Sequence, residues 1–225
     1  MGRVLTVLLA AAAAPPVSAL VLSPGFETAL RAGGVHREEG FAPSRLVDDL
    51  RVDVLALEAL QRFEPAGSGP RGGASTGMRS ATFADPIGRP RAVGCWDAFA
   101  ATWERLDLVR CELMEGLGLE LLEQVEVHYV RYPEGGFFQR HVDDFVDGDA
   151  AHRRSVSFIL YLNEPELAWR ESDGGALRVH PSGIEYLPDA GSLLLFDSMQ
   201  VQHEVLPTRR ERTCLVGWFH APCES

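Results

Sequence analysis

The chain is predicted to be an α+β protein with a mainly β core, a double-sheet barrel of the jelly-roll type backed by N-terminal helices. Three observations predict this. Helical periodicity is confined to the first half of the sequence. From Gln124 onward the apolar pattern alternates instead, most clearly in Val125-Glu-Val-His-Tyr-Val-Arg-Tyr132 and Ser155-Val-Ser-Phe-Ile-Leu-Tyr161. About eight short strands then succeed one another with turn residues between them. No internal repeat and no second domain is visible.

The length of 225 residues suits one core of ordinary size, and 46% hydrophobic with 24% charged residues is the balance of a globular protein. The formal net charge of −11 argues against a nucleic-acid backbone or an anionic membrane surface as partner. All 21 basic residues are arginine, with no lysine anywhere.

Taken in order, Met1-Gly2-Arg3 gives a short positive start, Val4 to Ala14 an apolar run, and Pro15-Pro16 a break. Val17-Ser18-Ala19 then has the small residues of a cleavage site. Residues 1–19 are therefore expected to be a cleaved secretory signal peptide, the apolar run being short for a bilayer span. This places the protein in the secretory pathway or endoplasmic reticulum. An uncleaved anchor, which would bring a membrane into play, and the first part of a two-step organelle signal are the alternatives. Cys95, Cys111, Cys214 and Cys223 show no CxxC spacing, which speaks against structural zinc; a secreted chain would allow one or two disulfides. Cys214 falls in an apolar strand and fits a small core residue.

Residues 20–122 are expected to supply helices and a long loop supporting the core. Ser23 to Gly40 lacks a period and suggests a loose lead-in. Ser44 can cap a helix to about Phe63, with Leu46, Leu50, Val54, Leu57 and Leu60 at helical spacing. Glu64 to Ala92 is rich in Gly and Pro and predicts an extended loop. A second helix follows Cys95 with Asp97 as cap. Its apolar face is Phe99, Trp103, Leu106, Val109, Leu113 and Leu117, and it ends at Gly116 or Gly118. Residues 123–225 hold the strands, punctuated by Pro133-Glu-Gly-Gly136, Asp173-Gly-Gly175 and Pro188-Asp-Ala-Gly191.

Within that half, His141-Val142-Asp143 is followed by His203 and then by Arg212. Residues i and i+2 of a strand point to one side, so His141 and Asp143 can reach one ion together. Two imidazoles and one carboxylate suit Fe(II) and leave positions open for other ligands, whereas thiolates, absent here, would suggest zinc or a cluster. A turn near Pro207 must separate His203 from Arg212, after which the guanidinium can face inward. A non-catalytic metal-binding jelly roll would use the same three ligands but needs no acid-holding arginine. His36, His128, His152, His180 and His220 lack matching partners and are read as non-ligands.

Further segments join the pattern in order: Tyr132-Pro-Glu-Gly-Gly136, Arg140-His-Val-Asp143, Tyr161-Leu-Asn163, Gly174-Gly-Ala-Leu-Arg178, Leu194-Leu-Phe196, His203-Glu-Val205, and Arg212 with Trp218-Phe219. From about Val125 to Phe219 the chain resembles the 2-oxoglutarate- and Fe(II)-dependent dioxygenases. It is most similar to their prolyl 4-hydroxylase branch, in particular its oxygen-sensing, arginine-using type. The resemblance implies a double-stranded β-helix with His141, Asp143 and His203 as iron ligands. It implies that Arg212 holds the distal carboxylate of 2-oxoglutarate, with Tyr132 and Tyr161 helping to hold that co-substrate. Arg154 matches a position near the active-site mouth, and Trp218 one beside the metal. Collagen-type relatives use lysine where Arg212 stands, and this chain has none. The implied cofactor and co-substrates are Fe(II), 2-oxoglutarate and O2, with ascorbate as reductant. The implied reaction hydroxylates a C–H bond and releases succinate and CO2, since the halogenases of this superfamily lack a carboxylate where Asp143 stands. A peptidyl proline in a protein or peptide is the expected substrate, a small molecule or another side chain the alternative. The acidic stretch Asp143 to Asp149 and the loop Glu64 to Ala92 are expected to form a substrate lid.

Overall fold

The structure, a computed structural model, describes residues 21–65, 82–87, 90–143 and 152–223. The expected signal segment, most of the long loop and the acidic stretch past Asp143 lie outside the described residues.

Eleven strands and three α-helices are described, in the order α1 (Phe26–Arg31), β1 (Val35–Glu38), α2 (Ser44–Ala59), β2 (Glu64–Pro65), β3 (Thr82–Ala84), α3 (Trp96–Leu117), β4 (Val125–Tyr132), β5 (Phe138–His141), β6 (His152–Tyr161), β7 (Leu177–His180), β8 (Glu185–Tyr186), β9 (Leu193–Asp197), β10 (Gln202–Val205) and β11 (Arg212–Pro222). They form a seven-stranded major sheet, β1-β9-β6-β11-β4-β3-β2, and a four-stranded minor sheet, β5-β10-β7-β8. All described pairings are antiparallel. This is the jelly roll the alternation predicts, and the eight strands of its second half fall where the pattern places them.

The first half departs from expectation in several ways. Ser23 to Gly40 is not a loose lead-in: it contains α1 and β1, and β1 pairs with β9 from Val35↔Phe196 to Glu38↔Leu193. A four-residue edge strand carrying His36, Arg37 and Glu38 offers no period to detect. The loop after Phe63 contributes β2 and β3, and β3 extends the major sheet beside β4. Finally, Ser44 does not cap α2; Pro43 occupies the cap position in extended backbone and Ser44 is the first helical residue.

Helix α3 follows its pattern closely. Phe99, Leu106, Val109 and Leu113 are buried, Cys95 rather than Asp97 is the N-cap, and Gly118 ends the helix at φ 69°. That left-handed geometry is nearly free for glycine. One face of the major sheet presents Val127, Tyr129, Val156, Phe158, Leu160, Leu215 and Phe219 to α2 and α3, forming the larger core. Each fully buried residue of this kind contributes roughly 1.5–3 kcal/mol. Asp53 of α2, fully buried, ties the layers together by accepting from the Tyr129 hydroxyl at 2.9 Å and from the Cys95 backbone N–H.

The opposite face of the major sheet meets the minor sheet across a second core that includes Val130, Tyr132, Ile159, Tyr161, Leu177, Phe196, Val205 and Cys214. Inward residues of this layer are the ones that reach the site. All four cysteines are free. Among the described residues no helix is long and apolar enough to cross a membrane.

Candidate metal centre

On the minor sheet, β5 and β10 place His141 directly opposite His203. Their rings lie 4.3 Å apart, and Asp143 follows His141 just beyond the end of β5. The donor atoms of all three lie within 4.8 Å of one another, the one such group among the described residues. His141 Nε2 is 3.2 Å and His203 Nε2 3.9 Å from the same Asp143 Oδ1.

The orientation of each donor is fixed from behind. His141 Nδ1 lies 2.7 Å from the Gln139 carbonyl and His203 Nδ1 3.0 Å from that of Val201. A carbonyl only accepts, so each Nδ1 carries a proton and each Nε2 is the ring nitrogen turned toward Asp143, the one left to ligate a metal when deprotonated. Asp143 Oδ2 accepts from Ser157 Oγ at 2.7 Å, and Ser157 is joined to Ser198 at 2.8 Å. Burial opposes the charge on Asp143, yet the His141 hydrogen bond and the neighbouring imidazoles and Ser157 hold its carboxyl well below the usual carboxylate range. Burial lowers the His203 imidazole, favouring its neutral, ligating form, although Asp143 pulls the other way. Two neutral nitrogens and one carboxylate oxygen converging here suit a borderline cation such as Fe(II).

Across the inter-sheet layer stands a second group. Arg212 pairs in register with Tyr132, and Cys214 with Tyr161. The Arg212 guanidinium is 1% exposed and sits 4.8 Å from the Tyr132 ring and 5.0 Å from the Tyr161 ring. Its Nη1 reaches Cys214 Sγ at 3.4 Å, while Nε and Nη2 have no well-aligned acceptor; the Tyr161 hydroxyl, likewise without a well-aligned bond, couples to this same guanidinium. Burial raises both phenols, Tyr161 to about 12, against the opposing charge of Arg212. Asp143 also acts on Tyr132, so the two groups share one electrostatic environment. A buried cation with unused donors, flanked by protonated hydroxyls, is built for a carboxylate. The residues present therefore fit both a ferrous ion and a dicarboxylic co-substrate.

Among the described residues this arrangement brings together His141, Asp143 and His203, and separately Arg212, Tyr132 and Tyr161. Arg154 and Trp218 lie at the edge of the triad: the guanidinium is stacked 3.6 Å over the Trp218 ring, with Nη1 3.5 Å from the Asp143 carbonyl. Sequence reasoning missed Ser157 and Glu126. Ser157 had a faint signal, a small polar residue on the inward row of an otherwise apolar strand.

Residues 127–220 match the profile of the 2OG-Fe(II) oxygenase superfamily. A prolyl-4-hydroxylase of Pseudomonas putida is 34% identical and superposes with a TM-score of 0.70, covering 88% of this chain and 98% of its own. The chain belongs to the 2OG-Fe(II) oxygenase superfamily, in its prolyl-4-hydroxylase-like branch. Two curated relatives match over shorter stretches. A prolyl 3,4-dihydroxylase of Ostreococcus tauri is 29% identical over 87 residues, covering 32% of this chain and 17% of its own length. A PKHD-type hydroxylase of Hyphomonas neptunium is 36% identical over 94 residues, covering 39% of each. The oxygenase thus spans well under half the length of both curated relatives.

Proposed function

We propose that this oxygenase is an Fe(II)- and 2-oxoglutarate-dependent hydroxylase acting on a peptidyl proline. In this reading His141, Asp143 and His203 hold the iron, and Arg212, with Tyr132 and Tyr161, holds 2-oxoglutarate. The observation that carries it is Arg212: a buried guanidinium with two nitrogens lacking acceptors, in the same inter-sheet layer as the His-Asp-His group. A purely structural metal site would gain nothing from a charge so costly to bury.

Bound there, Fe(II) and 2-oxoglutarate would supply O2 activation, inserting one oxygen atom into a C–H bond with loss of CO2 and formation of succinate. The protein does the remainder. The Gln139 and Val201 carbonyls hold both histidines in the ligating tautomer, and Ser157 fixes the free oxygen of Asp143. Arg212 orients the co-substrate through a fork that matches a carboxylate. Leu177, Phe196 and Val205 keep the inter-sheet space apolar, strengthening the charge pairing within it.

Proline as substrate is supported by the prolyl-4-hydroxylase match over nearly the whole chain and by the name of the Ostreococcus relative. The secretory compartment and ascorbate as reductant belong to the same proposal. The test is purified protein with Fe(II), ascorbate and 2-oxoglutarate. Succinate should accumulate, and proline-bearing peptides should gain one oxygen atom by mass spectrometry. Succinate formed with oxygen added only to other side chains or small molecules would overturn the proline assignment. No turnover with any peptide or small-molecule pool would overturn the reading as a whole.

A further inference from the structure

Glu126 is used by none of this chemistry, yet it is the hub of the most densely paired polar cluster beside the triad. Its Oε2 accepts from Arg154 Nε at 3.0 Å and its Oε1 from Arg154 Nη2 at 2.7 Å. His128 Nε2 lies 3.3 Å from Oε1, and His220 Nε2 3.6 Å from Oε2. The His152 ring stands edge-on against His220 at 4.9 Å.

The topology explains how these residues meet. Glu126, Trp218 and Ser157 are in register across β4, β11 and β6, so they share a row, and Ser157 is the residue bonded to Asp143. Regular alternation along β6 would place Arg154 on the helix side with Val156 and Phe158. The register shifts there: Phe219 pairs with Val156 but His220 with Arg154, leaving Ser155 as an extra residue. Such a bulge turns the strand and re-aims the side chain beyond it. Arg154 is thereby delivered to the inward side, flat on Trp218 and against the Asp143 carbonyl. Once there, the guanidinium has two of its donors committed to one carboxylate in a bidentate clamp, which fixes its plane as well as its position. Trp218 is 9% exposed and its indole N–H has no acceptor.

We propose that Glu126 is a positioning residue for the acceptor: by clamping Arg154 on Trp218 it sets the shape of the mouth through which the reacting C–H approaches the metal ligands. The ionic state this requires is secure. Burial opposes it, but the His128, His220 and Arg154 contacts hold the Glu126 carboxyl far below its ordinary range. The inference rests on the proposed hydroxylase reading for its kinetic consequence and on geometry alone for its structural one.

The test uses Glu126→Gln, which keeps the shape but removes the charge and one of two acceptors, with Glu126→Asp as conservative variant. Acceptor KM, measured with the best proline-bearing peptide from a library, should rise about tenfold in Glu126→Gln while the KM for 2-oxoglutarate moves less than twofold. Glu126→Asp should recover part of the loss. In an Arg154→Ala background, Glu126→Gln should add less than twofold, because the clamp has nothing left to hold. A readout without turnover accompanies these: the Trp218 emission, isolated by subtracting a Trp218→Phe spectrum, should change in Glu126→Gln as the cation leaves the ring. Unchanged acceptor KM, an equal rise in both KM values, or the full effect persisting without Arg154 would each overturn the proposal. So would unaltered Trp218 emission. Should the wild-type chain hydroxylate no peptide, the substrate reading fails, and the emission measurement still decides whether Glu126 holds the stack.

Discussion

On the proposed reading, replacing Arg212 by Met should separate co-substrate binding from every other property of the site. The guanidinium is 1% exposed, its Nε and Nη2 lack acceptors, and its contacts are one thiol and two aromatic rings. Against a carboxylate, those two nitrogens would make hydrogen bonds of roughly 1.5–3 kcal/mol each. Losing both weakens 2-oxoglutarate by about 3–6 kcal/mol, on the order of a hundred- to ten-thousand-fold in Kd. Without ligand the sign reverses. A buried charge with no counter-ion costs several kcal/mol, which stacking on two desolvated rings, at about 2 kcal/mol each, no more than offsets. The ligand-free variant is therefore expected to melt at or above the wild-type temperature. With a redox-inert divalent metal and 2-oxoglutarate at a hundred times its Kd, the wild-type chain gains about 2.7 kcal/mol. For this chain length that is roughly 5–10 °C in Tm. The variant should shift by no more than about 1–2 °C at the same concentration while titrating metal normally. A retained 2-oxoglutarate shift, or loss of metal binding, would refute the assignment of Arg212.

Ser157→Ala removes the donor that fixes Asp143 Oδ2 and should weaken metal affinity about tenfold by calorimetry, with 2-oxoglutarate binding to the loaded protein little changed. Asp53→Ala leaves the buried Tyr129 hydroxyl and the Cys95 N–H without their carboxylate; the cost is about 3 kcal/mol, read as a fall in Tm with the metal site intact. Glu126 has its carboxyl held below the ordinary value of 4.5, so its contribution is fully present above that pH. As pH falls through it the unfolded chain takes up a proton and the native one does not, so stability drops; Glu126→Gln should flatten this acid limb of the Tm profile.

How far the sequence reveals this molecule depends on whether a signal is local. Helix α3 is legible because Phe99, Leu106, Val109 and Leu113 repeat a period over 22 residues, long enough to stand out from chance. His141 and Asp143 are legible for a similar reason, since a two-residue spacing in extended chain turns both to one side, even though Asp143 lies just past the end of β5. Strand β1 was illegible because its pairing with β9 is decided by a partner more than 150 residues away, not by anything in Val35 to Glu38. Ser157, in the run Val156 to Tyr161, looks like ordinary strand filler until the fold carries Asp143 to within 2.7 Å of it. Arg154 goes further: alternation from Ser157 assigns it to the wrong face, and only the extra residue at Ser155 reverses that. Sequence periodicity describes regular elements, and the Arg154–Trp218 stack beside the triad is built on an irregularity.

The two sheets also divide the labour. His141 and His203 stand on neighbouring strands of the minor sheet, whereas Arg212, Tyr132 and Tyr161 belong to the major sheet. Asp143 spans the two, following a minor-sheet strand yet hydrogen-bonded to Ser157 on β6. The distance between the proposed metal and co-substrate anchors is thus set largely by how the sheets pack, through Phe196, Leu177 and Val205. Elements of that kind hold a site more tightly than loops do. It follows that trimming Val205 to Ala, which touches neither anchor's hydrogen bonds, should loosen both. Metal and 2-oxoglutarate affinities should fall together in that variant, in contrast to the separate losses expected at Ser157 and Arg212. Independent losses there would mean that the sheets do not act as a unit.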